Sequence, residues 1–207
     1  HAAAFSQSEK YVATMQKNLV LFDSSKTAED FNKLANTFER IGDAEKTQWL
    51  PYYYAALGHV MTGYSYAEGN TTGGGMADKT DPEADLAETM LNKAIALSKE
   101  NSETWVLKKM IATLRMMADP MSRYMTYGPA AAEALEKAKA MDANNPRTYL
   151  LEGQDKFYTP EQFGGSKEQA KILFEESKKK FETFKPESSI HPVWGKSQVY
   201  YFLSQTK

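Results

Sequence analysis

Residues 158–170 read YTPEQFGGSKEQA, and the GGSK at their centre is the first candidate for chemistry. Glycines beside a lysine are what a phosphate loop uses, because backbone amides cradle the phosphates and the ammonium neutralises them. Such a loop needs G-x4-G-K-[ST] between a strand and a helix. Here a serine separates glycine from lysine, the upstream glycine is missing and no strand precedes. The run reads as a turn. Gly164 and Gly165 end one helix, and Ser166 with Gln169 forms a capping box for the next. Thr159-Pro160-Glu161-Gln162 has the same form and predicts a short helical turn.

Other residue types capable of chemistry are weighed the same way. Asp78, Asp81, Glu83 and Asp85 follow a glycine-rich run, and clustered oxygens suit calcium, but their spacing does not fit an EF-hand. Asp81 reads as a helix cap, with the other acids complementing the helix dipole. Met110, Met116, Met117, Met121 and Met125 are half of the ten methionines and could hold Cu(I). Pro120 interrupts the helix that would align the last three, so they read as core fillers or a soft binding surface. His1, His59 and His191 sit in unrelated settings, no serine–histidine–acid set is evident, and the absence of cysteine removes disulfides and thiolates. No catalytic residue, metal or cofactor is expected, and the chain does not read as an enzyme.

Composition narrows the partners. In 207 residues, 25 basic and 27 acidic side chains are interspersed, giving a net charge of −2 and no basic stripe for nucleic acid. Trp49 to Ala67 carries no formal charge over 19 residues, close to the roughly 20 a membrane helix needs. Five tyrosines, His59 and Pro51 make it a buried helix instead, and no membrane span is expected. The small, polar start HAAAFSQ (1–7) reads as a tail or tag remnant left after removal of a signal peptide, predicting a periplasmic or secreted protein.

The elements that would position any site are helices. Apolar residues recur at three and four, as in Phe31, Leu34, Ala35, Phe38 and Ile41, and prolines stand where helices begin. Helices are predicted near 8–22, 27–43, 50–63, 83–99, 102–118, 129–141, 146–158, 166–183 and 192–205, in one domain over 1–207 with a glycine-rich insertion loop at 64–82. Within them one pattern occurs three times: Ala87-x3-Leu91-x2-Ala94, Ala131-x3-Leu135-x2-Ala138 and Ala170-x3-Phe174-x2-Ser177. Small residues let helices approach, and large ones fill the space between hairpins.

These triplets, with Tyr54-Leu57-Gly58-Met61, Trp105-Lys108-Lys109-Ala112, Tyr149-Glu152-Gly153-Lys156 and Trp194-Ser197-Gln198-Tyr201, resemble the tetratricopeptide repeat, W-x2-L-G-x2-Y then A-x3-F-x2-A then P. Lys108 and Lys109 replace leucine–glycine, and Ala143 stands where the closing proline is expected, so the repeats are irregular. The whole looks like exported repeat proteins of Gram-negative bacteria. The resemblance implies an all-α fold, a right-handed superhelical stack of antiparallel helix pairs with about nine helices. It also implies a non-catalytic scaffold that holds a peptide or partner helix in its concave groove. Carried over, the groove positions are Tyr52, Ala55 and His59, then Glu103, Val106, Met110 and Thr113, then Arg147, Leu150, Gln154 and Phe157. The alternative is a periplasmic small-solute-binding or transporter-accessory subunit, its cleft lined by 52–66 and by the lengthened connections after residues 58, 109 and 153. Those connections should lie along one edge.

Overall fold

The structure, a computed structural model, describes residues 8–68 and 75–206. Nine α-helices follow one another among the described residues, without strands: α1 (Glu9–Ser24), α2 (Ala28–Glu45), α3 (Leu50–Ala67), α4 (Ala77–Ser98), α5 (Ser102–Met117), α6 (Pro120–Met141), α7 (Pro146–Tyr158), α8 (Lys167–Thr183) and α9 (Lys196–Gln205). A 3-10 turn, Glu161–Phe163, lies between α7 and α8. Local chemistry sets most starts. Asp119 and Asn145 cap α6 and α7 with proline following, Asn101 and Thr104 form a reciprocal capping box on α5, and Ser166 accepts from the Gln169 amide.

GGSK is a turn. The chain folds back so closely there that a Cβ on Gly165 would overlap the Thr159 carbonyl oxygen, while Gly164 holds a φ of 91°. The predicted turn at 161–163 is present, but its cap position is Pro160 and Thr159 makes no cap bond.

Two helices begin earlier than their sequence suggests. The stretch 64–82, expected as a loop, is helical to Ala67 and again from Ala77, so α4 runs through Pro82. Likewise α6 starts at Pro120 and continues through Pro129. An interior proline removes one i→i−4 hydrogen bond and its ring crowds the carbonyl of residue i−4, a cost that neighbouring contacts offset here. Arg123 on α6 grips both Asp81 oxygens at 2.6 and 2.8 Å, and Arg115 reaches Asp85 and Glu88. Asp81 is therefore an ion-pair partner inside a helix rather than a cap. The four acids of this segment do not converge: Glu83 turns to His59 and Asp85 to Arg115. α5 ends at Met117 and α6 begins at Pro120, so Met117 is set apart from Met121 and Met125, which stand one turn apart on α6, 92% and 81% exposed.

The pairs stack antiparallel. Early α3 meets late α4 where Lys93 lies over the Tyr52 ring; early α5 meets late α6 where the Ser102 hydroxyl donates to the Ala138 carbonyl; early α7 meets late α8 where Ser177 donates to the Pro146 carbonyl. All nine residues of the small–large–small triplets are buried, which is the close helix approach their sizes predicted. The glycines are less alike. Gly58 faces Ala35 of α2, the preceding helix, whereas Gly153 faces Phe174 of α8, the following one. One core runs through α1–α7, and a second joins α7, α8 and α9 around Phe174 and Phe202.

Candidate functional site

The expected groove is closed by the chain itself. The connection 184–195 between α8 and α9, FKPESSIHPVWG, lies across it with Ile190 and Pro192 buried. Tyr54 donates to the Ile190 carbonyl at 3.1 Å, and the Trp194 indole donates to the Tyr53 hydroxyl at 2.8 Å. Gly195 permits this seat: its φ is 105°, and a Cβ would stand 2.9 Å from Leu150.

Beneath the connection is a buried polar network. Arg147 has no exposure; its guanidinium binds Glu103 through Nε at 3.0 Å and Nη2 at 2.5 Å, and lies over the Phe184 and Trp194 rings. Tyr53 and Asn145 also donate to the Glu103 carboxylate. Glu103 and Arg147, carried over as groove positions, thus form an internal ion pair holding three helices and the connection together.

The remaining groove positions fare similarly. Tyr52 donates to Asp43 and His59 bonds Glu83 at 2.8 Å, so both face neighbouring helices. Ala55, Val106, Met110 and Leu150 are core residues. Only Thr113, Gln154 and Phe157 keep partial exposure, and Gln154 is tied to Gln198. Correct identities on α3 were assigned to the wrong face, since that helix is buried on every side from Leu50 to Val60.

His191 lies in this connection, with its ring against Trp49. Burial is the largest influence and holds its pKa below the ordinary 6.5; the nearby Arg147 charge also lowers it, and Glu103 and Glu187 oppose. A base whose folded-state pKa is depressed supports the fold above its unfolded value and loses that support as pH falls through the folded one. Thermal midpoints measured from pH 8 down to 5 (roughly the range over which histidine titrates) will therefore fall less in His191→Gln than in the parent. Equal slopes would exclude this role.

What stays open is an aromatic patch where α7, the 3-10 turn, α8 and α9 meet. Tyr158 and Tyr201 are 68% and 58% exposed, and Phe163 on the turn is 73% exposed. Their backing is a ring cluster: Phe202 stacks on Phe174 at 4.9 Å and takes Phe157, Tyr158 and Tyr201 edge-on at 5.4, 5.8 and 5.3 Å. Edge-to-face packing fixes ring orientation. Two lysines flank the rings, with no carboxylate partner among the described residues: Lys167 lies over Phe157, and Lys156 donates to the Gly164 carbonyl. Partial burial raises the Tyr158 pKa, and Tyr201 and the charge of Glu68 raise it further. Of the lengthened connections, the first two meet where Arg123 binds Asp81. Of the rings in this patch, the sequence marks Phe157 alone as a groove position and Tyr201 as a repeat position. The spacing of Tyr158, Phe163 and Tyr201 carries no periodic signal, so only the fold assembles them.

No protein-family model matches the sequence, nor does any curated protein. Among solved structures, the HusA haemophore from Porphyromonas gingivalis is 30% identical, with a TM-score of 0.83 over 98% of this chain and 96% of that one. The chain belongs to the HusA haemophore family. This kinship overturns the peptide-binding scaffold expected from the repeat pattern, and residues 184–195 of the chain itself contact the positions at which an extended segment was expected. No helix among the described residues is long and apolar enough to cross a membrane.

Proposed function

We propose that this protein is an exported, non-catalytic haem carrier whose cargo docks on the aromatic patch at the α7–α9 end. The observation that carries the reading is end-to-end likeness to a haemophore at 30% identity. The chemistry of the patch supports the location. Haem offers two apolar faces and carries two propionates on one edge, and the patch offers exposed rings with Lys156 and Lys167 beside them. Aromatic faces suit a flat macrocycle, and ammonium groups suit carboxylates. The helix stack itself we read as an irregular tetratricopeptide array, supported by its buried small–large–small triplets.

Ferric haem titrated into the protein should give a saturable shift of the Soret band at one equivalent. The variant Phe163→Ser/Tyr201→Ser removes two largely exposed rings, of which Tyr201 packs on Phe202, and with an unchanged thermal midpoint should bind at least about tenfold more weakly, a loss of about 1.4 kcal/mol. An unchanged affinity would move the site elsewhere, and an absent or unsaturable shift in the parent would end the haem reading.

A further inference from the structure

We propose that the cavity between α1 and α2 binds a zwitterionic amino acid with an aliphatic side chain. It is a second site, on helices that take no part in the patch described above, and it does not depend on the haem reading. The cavity measures about 380 Å³, within the range of small-molecule clefts. Early α1 faces late α2 there, with Lys10, Tyr11 and Thr14 on one side and Arg40, Ile41 and Glu45 on the other. Steps of four residues keep Lys10 with Thr14, and Ile41 with Glu45, on the same helical face.

Three charged side chains line this space, and they do not meet across it. The Arg40 guanidinium donates only to the Thr37 hydroxyl, and neither Lys10 nor Glu45 has an ion pair among the described residues. A ligand that carries both charges joins them. Its carboxylate suits Lys10 and the free donors of Arg40, which can grip two oxygens at once. Its ammonium suits Glu45 and the Thr14 oxygen, whose own proton goes to the Lys10 carbonyl. Tyr11 and Ile41 supply the apolar wall for the side chain. An anion alone would meet repulsion from Glu45, and an amine alone would meet it from Lys10 and Arg40. A second observation marks the same place. The Tyr11 hydroxyl is buried without a hydrogen-bond partner, a rare state for a buried polar atom. Burial, and then the charge of Glu45, raises the Tyr11 pKa, so the group keeps a proton to donate.

The test follows amide shifts by NMR as L-leucine, isocaproate or isoamylamine is titrated into the full chain. The two latter probes keep the leucine side chain but lack the ammonium and the carboxylate respectively. Leucine should give saturable shifts centred on Thr14, Ile41 and Glu45, and each half-ligand should bind at least about tenfold more weakly. Arg40→Gln should weaken leucine at least about fivefold and leave isoamylamine no weaker. Glu45→Gln should weaken leucine similarly and leave isocaproate no weaker. Arg40 is exposed and Glu45 half-buried, so both variants should keep the parent's thermal midpoint. Absent or unsaturable leucine shifts, shifts centred elsewhere, or a half-ligand as tight as leucine would overturn the proposal on the parent alone. Unchanged leucine affinity in either variant would do the same.

Discussion

Replacing Arg147 by methionine is expected to cost about 3–5 kcal/mol of folding stability, because it leaves the Glu103 carboxylate buried without its counter-charge. Glu103 is 6% exposed and would keep only Tyr53 and Asn145 as donors. Neither carries a charge. For a domain of this size, the loss corresponds to a drop in thermal midpoint of roughly 10 °C. The control is Glu103→Leu/Arg147→Met, which removes both charges and should recover most of the stability, since an apolar pair of similar volume avoids the desolvation cost. Urea midpoints for the two single variants and the double variant close the cycle. A loss of less than about 1 kcal/mol in Arg147→Met would place the pair among surface-like ion pairs and contradict its burial. The network also binds the 184–195 connection, through Trp194 on Tyr53 and the stacked Phe184, so the weakened variant should become more susceptible to proteolysis there.

Reversing Lys156 and Lys167 to glutamate is expected to weaken ferric haem binding roughly 10- to 100-fold at low salt, since each site exchanges an attraction near the propionates for a repulsion. Both lysines lie beside the patch on separate elements, and neither supports the core, so the variant should fold as the parent does. Added salt should shrink the difference, because exposed charges are screened beyond about 8–10 Å at physiological ionic strength. The dimethyl ester of ferric protoporphyrin IX has no propionate charge and should bind parent and variant alike. A similar loss with the ester would show that the lysines act through folding or packing, and no loss with the acid would remove them from the site.

The helices were legible because the signals that make them are local. Ser166 caps the helix predicted to follow it, and the small–large–small triplets all lie in the core. Departures came where side chains distant in sequence reversed a local signal. Pro82 and Pro129 read as starts, but the Arg123–Asp81 ion pair ties together the helical turns that precede the two prolines. Gly58 and Gly153 stand at matching places in the pattern yet pack against helices on opposite sides.

The functional surface was the least legible part. An amphipathic helix declares its buried face by its period, but α3 is apolar nearly all round, so no period shows which side meets α2, α4 or α5. Tyr52 and His59 were assigned to the groove for want of that signal. The connection 184–195 carries Pro186 and Pro192 and no helical spacing, so nothing local marks Ile190 and Trp194 as residues that fill a groove. By itself the sequence determined an all-α chain of paired helices, through caps, prolines and 3.6-residue spacing that act within a few residues of each other. Only the tertiary structure decided which surface stays open, because exposure depends on what the rest of the chain covers: the groove is occupied by residues 184–195, and Tyr158, Phe163 and Tyr201 are left facing solvent.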